Sequence, residues 1–164
     1  MGRGEVYTFE GAAAVVLGDT LVAVWRGPLT PDAWRWVWQL LVSVGERFPE
    51  GALHLSVILS SSSPPNAGLR LEMQRDFRQA GAKLRRFIVL PVGSSVWFNV
   101  VRALVRGVLL ISRQSKLYAV VGSLAEALAE LERAGSPSTP ARAELELCIA
   151  DACAALGIAR LEAA

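Results

Sequence analysis

The period of hydrophobic and polar positions changes several times along the chain, and each change marks an element. Ala12 to Leu17 and Leu21 to Trp25 are apolar, β-prone runs. They are joined at Gly18-Asp19, residues that accept the positive φ of a tight turn, and so predict a hairpin. Arg26-Gly27-Pro28 ends its second strand. Thr30 then serves as an N-cap, Pro31 fits the first helical position and Asp32 favours the positive end of the helix dipole. This helix runs to about Phe48, where Pro49 stops it.

Leu53 to Ser60 reads as a buried strand and Ser61 to Pro65 as a loop. Asn66 caps a helix ending at Gly81, with Leu69, Met73, Phe77 and Ala80 on one face and mostly charged residues away from it. Leu84 to Leu90 is a further strand, and Pro91-Val92-Gly93 turns the chain. Ser94 or Ser95 caps a long apolar helix reaching about Ile111. Leu117 to Val121 is a fifth strand, and Ser123 with Glu126 forms a capping box for the helix Leu124 to Ala134. A hairpin followed by alternating helices and strands predicts an α/β fold: a mixed sheet of about five strands covered by four to five helices. Residues 1–134 form the domain and residues 135–140, rich in Gly, Ser and Pro, a linker. Residues 141–164 hold a last helix that packs on the same domain or on a neighbour.

Two of these helices are more apolar than a surface helix requires. The first, after Pro31, has a narrow polar stripe of Asp32, Arg35, Gln39, Ser43 and Glu46. The second, which opens at Ser95, has Ser95, Asn99, Arg102 and Arg106. Opposite each stripe lies a sheet-facing side, which leaves Trp36, Trp38 and Val42 flanking the first stripe and Phe98, Val105 and Leu109 flanking the second. Those flanks are either sunk in the domain or exposed to bind a second copy, another protein or an amphiphile. The stripes are not lysine-rich, which weakens the case for a helix lying on a membrane surface.

Composition narrows the picture. Of 164 residues, 52% are hydrophobic, enough for a core without staples. The 17 basic and 15 acidic residues leave a net charge of +2, which argues against a nucleic-acid binder. No uncharged apolar run reaches the ~18 residues of a membrane span, and the start of the chain carries Glu5 and Glu10 where a signal peptide would be basic. The cytoplasm is the expected location. Cys148 and Cys153 read as small buried hydrophobes.

Candidate chemistry is sparse. His54, the one histidine, opens a strand and would need a serine from Ser60 to Ser63 to make a hydrolytic dyad, yet no Gly-x-Ser-x-Gly elbow is present. The serine run follows a strand, where α/β proteins place ligand loops. Ser94 and Ser95 open a helix whose amides can hold an anion, and Arg102 and Arg106, with Arg113 and Lys116 beyond, can meet an acidic partner. No Cys/His/Asp/Glu set has metal-ligand spacing, and no cofactor is expected.

From Val15 to Leu131 the order of elements resembles the STAS-domain family, which includes anti-sigma-factor antagonists. The segments carrying the resemblance are TLVAVWRGPLTPDAW, NAGLRLEMQRDFRQAGAKLRRFIVL and YAVVGSLAEALAEL. The family's marked site, Asp-Ser-Ser-Gly-Leu at the start of the helix after the third strand, is similar to Pro65-Asn66-Ala67-Gly68-Leu69. Ala67 stands where the phosphoacceptor serine would be, so the resemblance implies a divergent branch without that switch. The leading expectation is a non-enzymatic, regulatory protein-interaction module that self-associates through the helix flanks with an unidentified protein partner. The alternatives are a carrier for a small apolar ligand or lipid, and a small hydrolase using His54 and the serine loop.

Overall fold

The computed structural model describes residues 4–112, 117–159 and 161. Six strands form one mixed sheet in sequential order: β1 (Glu5–Phe9), β2 (Ala12–Leu17), β3 (Thr20–Trp25), β4 (Ala52–Leu59), β5 (Leu84–Val92) and β6 (Tyr118–Val120). The first three pair antiparallel and the rest parallel. Helices α1 (Pro31–Arg47), α2 (Ala67–Ala80) and α3 (Ser95–Ser112) make the three crossovers. Each crossover adds the next strand on the same side, so the right-handed rule puts all three helices on one face. Helices α4 (Leu124–Ala134) and α5 (Arg142–Ala155) return across the other.

The α/β class is as the pattern predicts, with one strand more. β1 is an edge strand whose side chains are largely exposed, so its sequence lacks the apolar signature of its neighbours. The caps form as the sequence indicates: Thr30 accepts from the Ala33 amide, Asn66 from Leu69 and Ser123 from Glu126.

The sheet separates two cores. Along β4, Leu53, Leu55 and Val57 face α4 and α5, while the alternate positions face α1 to α3. The linker does not hang free. Asp19, fully buried in the hairpin turn, accepts hydrogen bonds from Ser136, Thr139 and Arg85, and its amide donates to Ser138. This clamp sets the entry of α5, which packs on β2 and β3 of its own sheet and buries Cys148 and Cys153.

Candidate functional site: an apolar cavity beneath three helices

The α1–α3 face of the sheet alternates large and small rows. The register aligns Leu21, His54, Phe87 and Tyr118 in one row, Ala23, Ser56, Val89 and Val120 in the next, and Trp25 with Ile58 in a third. The middle row is built of small side chains. Bulky aromatics on either side, with Trp34 of α1 and Phe77 of α2 above, keep the helices from settling into it. The result is a cavity of about 80 Å³. That exceeds the room one buried water needs, so the space admits a small organic group.

Its floor includes Ser56 and Val89, and its roof comes from Met73 on α2 and Val101, Leu104, Val105 and Val108 on α3. The two outer rows that wall it off lie four residues apart, roughly 13 Å along the strands, and the open space lies between them. At the carboxyl ends of the parallel strands it is bordered by Leu29, Trp97 and the exposed Ser63 and Pro64.

Among the described residues no charged side chain lines this cavity. Its indole N–H groups are already spent: Trp25 donates to Ser56 Oγ at 2.8 Å and Trp97 to the Ile58 carbonyl at 3.3 Å. Tyr118 packs its ring against Phe77 and Phe87, and its hydroxyl is buried with no hydrogen-bond partner among the described residues. Burial raises the Tyr118 pKa, so it stays neutral. The Tyr118 hydroxyl is therefore an uncharged polar group left free to donate.

The serine run is largely structural. Ser61 donates to the Arg26 carbonyl and Ser62 to the Trp25 carbonyl, pinning the β4–α2 loop to the end of β3. Ser60 packs under Gly93, whose φ of 143° and lack of a side chain let β5 turn into α3 against it. His54 lies six residues upstream, roughly 20 Å along an extended strand. It is fully buried against Phe87 and faces the Leu21 backbone without a hydrogen bond of normal geometry. Burial lowers its pKa to about 3. The fold thus does not bring His54 to the serines, and the dyad of the hydrolase reading does not form.

Ser94 caps α3 by accepting from the Trp97 amide, and Ser95 is exposed beside it. Arg102 begins two turns further along, roughly 10 Å from Ser95, and Arg106 a turn beyond that, so the four do not converge on an anion. Arg113 and Lys116 lie outside the described residues. Asn66, Ala67 and Gly68 form the exposed first turn of α2. Among the described residues no His/Cys/Asp/Glu group is arranged to hold a metal, and no helix is long and apolar enough to cross a membrane.

The helix flanks find partners within the chain. Trp36 stacks on Phe9 at 5.5 Å, and Trp38 stacks on Trp34 at 5.4 Å and meets Phe77 edge-on. Val42 and Phe98 are half-buried, and Val105 lines the cavity. The side chain of Leu109 lies outside the described set. The cavity itself was not predicted. Its one signal in the sequence is Ser56 amid a run of large apolar strand residues, and that signal becomes meaningful only once register places Ala23 and Val89 beside it.

Comparison of the chain with family models, with curated proteins and with solved structures finds no match.

Proposed function

We propose that this protein is a binding module for a small apolar ligand, an alkyl chain or a single ring, held in the cavity between α1–α3 and the sheet. The observation that carries this reading is a cavity with almost wholly apolar walls, opening at the carboxyl ends of the parallel strands. Apolar walls without a charge favour transfer of hydrocarbon from water. The neutral Tyr118 hydroxyl offers an uncharged polar contact, which suits an alcohol, ester or carbonyl better than an ion.

This reading replaces self-association through the helix flanks as the leading one, because Trp36, Trp38 and Val105 are occupied by contacts within their own domain. It leaves room for the STAS-like regulatory role that the sequence resemblance implies, with ligand occupancy in place of phosphorylation at Ala67 as the input. The test is a thermal melt against straight-chain alcohols of increasing length. A ligand that binds only the folded state raises the midpoint in proportion to its occupancy. The proposal requires an increase that grows with chain length and then stops at a cut-off. A flat response across the series refutes it.

A further inference from the structure

Of the five large hydrophobic side chains most exposed on the described surface, three cluster on one face. Leu71 of α2 is 65% exposed, and Val96 and Val100 of α3 are 70% and 37% exposed. Between them runs a groove along the α2–α3 seam, kept open by the small residues Ala67, Ala103 and Gly107 and bordered by Arg70. A side chain at Gly107 would meet nothing within 4 Å.

Among the described residues the one charged side chain bordering this groove is Arg70. Arg78 lies two turns beyond Leu71 on the same face of α2, and Arg70 and Arg78 are both exposed and form no ion pair with a described residue. The two acids of α2 are turned away: Glu72 is held by Arg35 of α1 at 2.6 Å, and Asp76 by the Trp34 indole at 2.8 Å. Helix α3 has no acid at all. Leu104 and Val108 line both the groove and the cavity beneath it, so a single layer of side chains separates the two.

We infer that the α2–α3 face docks on the surface of an anionic lipid bilayer. Exposed apolar side chains insert among the headgroups while unpaired arginines meet the negative surface, a combination that neither supplies alone. The polar stripes of the two apolar helices are not lysine-rich, but both α2 carboxylates are held on the α1 side, which leaves Arg70 and Arg78 without a counter-charge on their own helix. The inference deepens the ligand-binding reading, since it sets the thin Leu104–Val108 wall over a source of apolar molecules, but its test does not depend on that reading.

The test is sedimentation of the full chain with phosphatidylcholine vesicles, with and without phosphatidylglycerol, at low and high salt. Two variants accompany it, Leu71→Ser with Val100→Ser, and Arg70→Gln with Arg78→Gln; all four positions are exposed, so the fold is retained. The inference requires binding to the anionic vesicles that falls several-fold in high salt and in each variant. Val105→Trp, which fills the cavity, should bind vesicles as the unaltered chain does, so failure of the ligand reading and failure of this one give different results. Absence of binding, equal binding to neutral vesicles, or binding unchanged in both variants overturns it. So does a dimer in light scattering that Leu71→Ser with Val100→Ser dissolves, because a second copy would then be the occupant of this face.

Discussion

Trp25 and Ser56 are joined across β3 and β4 by a hydrogen bond from the indole Nε1 to the serine Oγ, 2.8 Å long and fully enclosed. The bond fixes a bulky ring at one end of the cavity and a small side chain on its floor. Ser56→Ala removes the acceptor and leaves a buried indole N–H without a partner. Such a group costs about 1–3 kcal/mol. Urea unfolding should show a loss within that range, with an unchanged slope.

The strands, helices and caps on which this site rests are legible in the sequence, because they depend on local spacing: Thr30 ahead of Pro31, Asn66 ahead of a 3.6-residue period, and apolar runs closed by Gly and Pro. The cavity is not local. Ala23, Ser56 and Val89 lie far apart in the chain and become neighbours only through register. The same limit applies to the aromatic flanks of α1. The exposure of Trp36 depends on β1, whose weak pattern hides the Phe9 that covers it. The charge clamp at Asp19 was equally invisible, since it joins a hairpin turn to a segment whose composition reads as a loose linker.

That clamp makes a second prediction. Asp19→Ala removes one partner of an ion pair whose carboxylate is fully buried and leaves the Arg85 guanidinium, the Ser136 and Thr139 hydroxyls and the hairpin turn without their shared acceptor. Breaking a buried pair in this way costs about 3–5 kcal/mol. Hydrogen exchange should show the loss concentrated in α5 and the β2–β3 hairpin, with α1 to α3 protected longer.

His54 gives a prediction in pH. Its folded pKa, about 3, lies below the ordinary value of 6.5 because burial disfavours the cation. The unfolded chain therefore takes up a proton below about pH 6.5 that the folded chain refuses down to about pH 3. Stability is lost as pH falls through that window, by up to about 1.4 kcal/mol per unit from this residue. His54→Leu removes the contribution. The stability difference between variant and unaltered chain, from urea midpoints at pH 7 and pH 4.5, should shift in favour of the variant at the lower pH.

The cysteines should be inert in the folded protein. Burial, with the nearby Asp151 and Glu144 charges, pushes the Cys148 thiol up to about 11, and burial raises Cys153 as well. The thiolate is the reactive form, so both should label slowly with a thiol reagent in buffer and at once in denaturant. Rapid labelling in buffer would mean that α5 does not stay docked on β2 and β3.

The cavity is the centre of this account, and calorimetric titration of the chain with a medium-chain alcohol tests it most directly. Val105→Trp, which fills the space from α3, is titrated alongside, with its melting transition recorded to show that it remains folded. The account predicts a saturable heat at one ligand per chain that the variant abolishes. No saturable heat in the unaltered protein, or the same isotherm in both proteins, contradicts it.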